Sequence, residues 1–210
     1  MTRDWDPDEA VAALSRADPR LARAIGRVGP FAMAPPRRQD PFAYLLRAIV
    51  YQQLSGRAAG AIHTRVLALF PRRRPSATGL GGLSDGQLRA AGLSAAKVAS
   101  LRDLADKRRS GVLPSREKLA ALGDEEILER LTAVRGVGPW TVQMLLMFGL
   151  GRPDVLPDTD LGIRKGYARA FGLDALPLPA EIRARAERWR PWRSAASWYL
   201  WRAADGAGEV

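Results

Sequence analysis

Three Asp-Pro pairs, at Asp6-Pro7, Asp18-Pro19 and Asp40-Pro41, each open a stretch of helical period. An aspartate side chain accepts the orphan N–H groups of a first helical turn, and proline at the first helical position loses nothing by lacking an N–H. This punctuation predicts helices over Pro7–Ser15 and Pro19–Val28, and from Pro41 through FAYLLRAIVYQQLS. A further helix is expected from Gly56 or Arg57 to about Phe70, because Ala59, Ile62, Val66 and Leu69 share one face. The same period predicts helices over Ser84–Ala91, Ala95–Lys107, Ser115–Leu122 and Asp124–Val134, then over Leu161–Phe171, Ala180–Trp189 and Pro191–Ala204. Proline and glycine make Pro71–Gly82 a loop and Ala34–Pro41 a linker, and the tail DGAGEV is expected to fray. No segment alternates strictly enough for a strand, and no repeat of about 30–45 residues suggests a solenoid. The expected fold class is all-α.

Composition narrows the chemistry. With 210 residues, 47% hydrophobic and 26% charged, the chain is an ordinary globular one, sized for one domain or two compact subdomains. Cysteine is absent, which excludes disulfides, thiol catalysis, cysteine-bound zinc and iron–sulfur clusters. His63 is the single histidine, so neither a Ser-His-Asp triad nor a histidine metal site is available; it reads as a helix-surface residue. Thirty-three basic residues against 22 acidic ones give a net charge of +11, which points to a nucleic-acid partner. The longest uncharged stretch, Gly136–Gly151, spans 16 residues and contains Pro139 and Gln143. That is short of the roughly 20 a membrane-spanning helix needs. The N-terminus has no apolar signal region. The expectation is a soluble, cytoplasmic, nucleoid-associated protein with no membrane partner.

The chemistry concentrates in Leu131–Gly151, LTAVRGVGPWTVQMLLMFGLG. One helix ends near Val134, Gly136-Val137-Gly138 makes a tight turn, and Pro139 starts the next helix. Unpaired N–H groups and the positive end of the helix dipole suit a phosphate there. Taken alone, such a turn reads more often as a plain helical hairpin. The downstream VLPDTDLGIRKG adds an acid: Asp160 stands 20 residues after Trp140.

Hairpin and aspartate together resemble the helix–hairpin–helix DNA glycosylase superfamily, and more narrowly the 3-methyladenine DNA glycosylase II family of alkylbase glycosylases. Five blocks carry the resemblance in order: AIVYQQLSGRAA (Ala48–Ala59), GLSAAKVASLRDLA (Gly92–Ala105), VRGVGPWTVQM (Val134–Met144), DVLPDTDLGIRKG (Asp154–Gly166) and ERWRPWRSAASWYLW (Glu187–Trp201). The resemblance implies two helical subdomains with a cleft between them, one from 1–35 with 150–210 and the other from 36–149. It makes Asp160 the catalytic aspartate, with Asp158 the alternative, otherwise a helix N-cap. Trp140, Trp201, Tyr51 and Met144 would line the base pocket, and Trp189 and Trp192 would be structural. Gly136, Val137 and Gly138 would bind a phosphate through main-chain N–H groups, Gln53 would enter the duplex, and Arg164 and Lys165 would face DNA. Arg72–Arg74 and Lys107–Arg109 read as solvated faces. Main-chain carbonyls of Thr132, Val134 and Val137 would hold a structural Na+ or K+, the sole ion the resemblance allows.

The implied activity is monofunctional excision of alkylated purines (3-methyladenine, 7-methylguanine) from damaged double-stranded DNA, by a bacterial monomer. Relatives that also cut the backbone carry a lysine two residues after the second hairpin glycine, where this chain has Trp140. Two alternatives stay open at this stage: a glycosylase for oxidised or deaminated bases, and a non-catalytic helix–hairpin–helix DNA-binding protein.

Overall fold

The computed structural model describes residues 5–34 and 39–206; the expected linker over 34–41 and frayed tail over 205–210 fall partly outside them. The described residues are helical, with no strand among them. The Asp-Pro pairs start helices as expected. α1 (Pro7–Ala17), α2 (Pro19–Val28) and α3 (Pro41–Tyr51) take Asp6, Asp18 and Asp40 as N-caps, each accepting first-turn N–H groups. There follow α4 (Gly56–Ala68), α5 (Ala77–Gly81), α6 (Asp85–Ala90), α7 (Ala95–Arg109), α8 (Arg116–Ala120) and α9 (Asp124–Thr132). α10 (Pro139–Met144) runs into a π-helical turn over Leu145–Leu150, and α11 (Leu161–Phe171), α12 (Pro179–Ala186) and α13 (Arg193–Ala204) complete the chain.

Two expectations are corrected. Pro71–Gly82 is not a plain loop: a 3-10 turn (Pro71–Arg73) and then α5 form there. Ser76 caps α5, and Ala77 and Leu80 bury its one apolar face, which outweighs three glycines in a short segment. The helix over FAYLLRAIVYQQLS stops at Tyr51, because Gln53 adopts a left-handed φ of 58° that no helix continues through. Lesser shifts at other ends have the same local character. The expected Ala180–Trp189 helix divides into α12 and a 3-10 turn over Glu187–Trp189, and α13 starts at Arg193 rather than Pro191.

The chain forms two compact units. One is Arg38–Leu145; the other takes its described residues from Met1–Arg37 and Leu146–Val210. In the first, α3 buries Phe42, Leu45, Leu46, Ile49 and Val50 against α7, whose Leu101 and Leu104 are fully covered. In the second, α11 crosses α13 closely, with α1 and α2 packed beside them. Gly166 permits that crossing: a Cβ there would stand 1.8 Å from the Leu200 carbonyl oxygen.

That second unit closes on a buried carboxylate. Asp18, 0% exposed, caps α2 and also accepts both Nε and Nη2 of Arg185 at 2.7 Å and the Trp189 indole N–H at 3.0 Å. Trp189 is therefore structural, as expected. Trp192 is too, its ring 5.7 Å from Trp5, whose indole donates to the Gly151 carbonyl at 2.9 Å.

Candidate active site

The aspartate-bearing segment between the π turn and α11 has no secondary structure of its own, so side chains of α13 fix it. Ser194 and Ser197 are both 0% exposed. Ser194 Oγ donates to the Arg152 carbonyl and accepts the Val155 N–H, while Ser197 Oγ donates to the Val155 carbonyl. Arg193 grips both carboxylate oxygens of Asp154, and Arg190 adds a third bond to the same acid. The segment thus arrives at α11 in a defined position despite lacking regular structure.

Asp160 caps α11. Its Oδ1 accepts the Ile163 N–H at 2.9 Å and the Trp201 indole N–H, also at 2.9 Å. Two donors on one oxygen orient the carboxylate about both χ angles. The N-cap role expected for Asp158 therefore falls to Asp160. Asp158 is instead buried and ion-paired to Arg183 of α12. Gly162 makes room for the Trp201 bond: a Cβ there would lie 2.8 Å from Trp201 Cδ1 and 3.0 Å from Asp160 Oδ1. The indole is braced on its other side by Phe148, with ring centroids 5.9 Å apart and planes 28° from parallel.

Of the basic pair that follows, Lys165 is exposed, while Arg164 is half-buried and gives its Nε to the Pro177 carbonyl at 3.0 Å. Asp160 and Trp201 are thus brought into direct contact. Gly162, Gly166, Phe148, Ser194 and Ser197 were not singled out from the sequence. The glycines at a four-residue spacing within α11 were the available signal, since that spacing makes one helix face bare of side chains.

In the other unit, α9 and α10 flank the hairpin. Gly136 has φ 77° and sits against Ser100 of α7, whose Oγ would be 2.8 Å from a Cβ at that position. Both facts require glycine. Asp103 accepts the Arg135 N–H at 2.7 Å, and the Gln52 side chain donates to the Gly136 carbonyl at 2.7 Å. The hairpin's three N–H groups are not alike. Val137 N–H turns inward to the Val134 carbonyl at 3.0 Å, whereas those of Gly136 and Gly138 have no acceptor among the described residues. Thr132, Val134 and Val137 line one hollow of about 560 Å³ together with Asp103. Main-chain carbonyl oxygens are hard donors, the type that a hard cation takes. No cluster of acidic or histidine side chains able to hold a metal occurs among the described residues.

Gln53 is exposed in the left-handed turn, with Leu54 beside it at 40% exposure. This turn is tied down by Lys97 of α7, whose ammonium donates to the Val50 and Gln52 carbonyls at 2.7 and 2.8 Å. Burial pushes the Lys97 pKa below the usual lysine range. Gln52, which sequence reasoning passed over, therefore joins this turn to the hairpin through its side chain and to α7 through its carbonyl. Trp140, the second residue of α10, is 47% exposed, and Met144 on the same helix is buried. Tyr51 is half-buried, with the Arg47 guanidinium over its ring at 4.1 Å and His63 edge-on at 5.9 Å. His63 is accordingly half-buried rather than a free surface residue; burial first, then Arg47, pulls its pKa below the usual value.

Residues 46–191 match the HhH-GPD superfamily model, described as base excision DNA repair proteins. The chain belongs to this superfamily. Among HhH-GPD relatives, DNA-3-methyladenine glycosylase 1 of Schizosaccharomyces pombe is 35% identical, with 96% of this chain and 93% of that protein aligned. The 3-methyladenine DNA glycosylase structure from that yeast, solved in complex with abasic DNA, superposes with a TM-score of 0.84 over 96% of this chain and 99% of the other. A DNA-3-methyladenine glycosidase structure from Bacillus halodurans is 33% identical and gives 0.86 over 97% and 91%. DNA-3-methyladenine glycosylase 2 of Escherichia coli is 30% identical over 92% of this chain and 71% of its own. The all-α HhH-GPD glycosylase fold expected from the sequence is the fold found.

Proposed function

We propose that this chain is a monofunctional DNA glycosylase that excises alkylated purines, of the 3-methyladenine and 7-methylguanine type, from duplex DNA in base excision repair. The observation that carries the reading is Asp160, aimed by the Trp201 indole and its own N-cap bond, in a chain that aligns almost end to end with relatives of that name. Phosphate binding alone requires neither residue, which disfavours a non-catalytic DNA-binding role.

A base within a duplex is out of reach, so the nucleotide must be extruded at a cost of a few kcal/mol. Gly136 and Gly138 would supply the main-chain N–H groups that hold a phosphate, with Val137 shaping the turn rather than donating. A monovalent cation bound by the Thr132, Val134 and Val137 carbonyls would add positive charge beside that phosphate. Gln53, held by Lys97 and Gln52, would fill the space the nucleotide leaves. Purines alkylated at N3 or N7 carry positive charge. An exposed tryptophan face such as Trp140 attracts such a ring by about 0.5–2 kcal/mol. The cationic base is already a good leaving group, so no general acid is needed. Asp160 would stabilise the positive charge that develops on the sugar as the glycosidic bond breaks. The bonding pair leaves with the base, and water adds to the sugar carbon and loses a proton, giving free base and an abasic site.

Two observations on the described residues support a reaction that stops at base removal. Trp140 occupies the lysine position of bifunctional relatives, and Lys97 is committed to two carbonyls. Incubation with methylated duplex DNA should release 3-methyladenine and 7-methylguanine. Borohydride should trap no protein–DNA adduct, and strands should break only after alkali or heat. Release of 8-oxoguanine or uracil alone would transfer the assignment to the oxidised-base or deaminated-base reading. A borohydride adduct lost on Lys165→Ala would overturn the monofunctional one.

A further inference from the structure

A hollow of about 750 Å³ opens between α2 and the C-terminal end of α11, within the unit that contains both chain ends. Arg20, Arg23, Arg27 and Arg169 line it with Phe171 and Leu173, and among the described residues no acidic one does. The three arginines of α2 recur at i, i+3 and i+7 and so share one face, set apart from the buried Leu21, Ala24 and Ile25. None of the three has a carboxylate partner among the described residues. Arg169 is held against the hollow's wall by its bonds to the Ala203 and Ala204 carbonyls, both 3.1 Å.

Gly26 is the second observation. It lies within α2, where glycine costs about 0.5–1 kcal/mol relative to alanine, yet a Cβ there would meet nothing within 4 Å. Packing does not require this glycine. It lines the hollow, and any side chain would begin to fill it.

We propose that this hollow is a second polyanion site, which binds phosphodiester groups of the DNA outside the stretch that contains the lesion. The proposal rests on the DNA glycosylase reading. Planar guanidiniums pair with phosphate oxygens in fork geometry, and three on one helix face without carboxylate partners form the expected receiver. The site is distinct from the catalytic one. A helix rises about 1.5 Å per residue, so α11 separates Asp160 at its start from Phe171 at its end by about 16 Å. A strand advances about 3.4 Å per nucleotide along the duplex axis, so a duplex running along α11 would place the hollow about five nucleotides from the one being processed.

The test compares duplexes of about 11 and about 30 base pairs, each with a central stable abasic analogue, and reads affinity against salt. The variants are Arg20→Gln/Arg23→Gln/Arg27→Gln and, with every arginine kept, Gly26→Glu. On the long duplex the triple variant should lower the log–log salt slope by about 2–3, at about 0.9 for each phosphate no longer neutralised, and Gly26→Glu should weaken binding. On the short duplex both should match the parent, and on methylated duplex DNA both should excise bases at the parent's rate. A triple Arg→Lys variant should keep most of the slope. Unchanged long-duplex binding would overturn the proposal, as a hollow serving an acidic protein would produce. Equal losses on both lengths would overturn it too, by placing the arginines in the lesion-binding footprint. Failure of the glycosylase reading is separate: the parent protein would release no base from methylated duplex DNA.

Discussion

Asp160 Oδ1 accepts two hydrogen bonds at once, so helix capping and carboxylate aim are coupled in one atom. Asn at this position keeps an acceptor oxygen and the cap but removes the charge. Asp160→Asn should therefore lower single-turnover excision by about 10²–10³ or more while duplex affinity holds or tightens. Asp158→Asn should mainly cost stability, since it breaks a buried pair with Arg183. The opposite ranking in a base-release assay would show that the wrong aspartate was chosen. Trp201→Phe keeps an aromatic ring against Phe148 and deletes only the donor to Asp160. It should depress the excision rate with little change in DNA affinity; a loss of affinity alone would make the indole a stacking surface instead. Asp160 could be singled out as the candidate from its spacing and flanking residues, because such motifs are local. Its bond to Trp201, 41 residues away, was not, because no periodicity reports which distant donor meets an acceptor.

Helix starts were readable from Asp-Pro and Ser punctuation, since a cap acts on the residues immediately after it. Helix ends were less so. α3 stops because Gln53 turns left-handed and Lys97, from α7, covers the carbonyls of Val50 and Gln52. That cap comes from a different element and leaves no trace in the local sequence. Lys97→Met would strip a charge-assisted donor from two carbonyls, costing about 1–3 kcal/mol. Amide exchange at Leu54, whose N–H reaches back to Tyr51, should accelerate well beyond any global change. Equal acceleration everywhere would mean that Lys97 supports the fold rather than this turn. The α11–α13 crossing has a comparable dependence. With the Leu200 carbonyl 1.8 Å from a Cβ at Gly166, Gly166→Ala must push the helices apart, for about 3 kcal/mol measured by denaturant.

Both ends of the chain contribute to one unit, and sequence reading had placed them together through family resemblance rather than through any contact it could see. The contact is Asp18, joining α2 to Arg185 and Trp189 across more than 160 residues of chain. Burial by itself would raise the Asp18 pKa, but hydrogen bonds from Arg185, Trp189 and the Leu21 N–H outweigh it, and the net shift is downward. A carboxyl with a depressed folded-state pKa contributes stability that is complete above its unfolded value, about 4, and is lost as pH falls through the lower folded value. Carboxylates paired in the other unit are exposed: Asp85 70%, Asp106 61% and Asp40 45% at the side chain. Such pairs contribute little, about 0–1 kcal/mol each. Acidification below pH of about 4 should thus release amide protection in α1, α2 and α11–α13 before α3–α10. Asp18→Ala should cost about 3 kcal/mol at neutral pH, because Arg185 and the Trp189 N–H lose their acceptor. It should also flatten the acid limb of the stability curve of the unit that holds both chain ends. If both units open together in acid, in parent and variant alike, Asp18 is a bystander and apolar packing alone holds α2 in its unit.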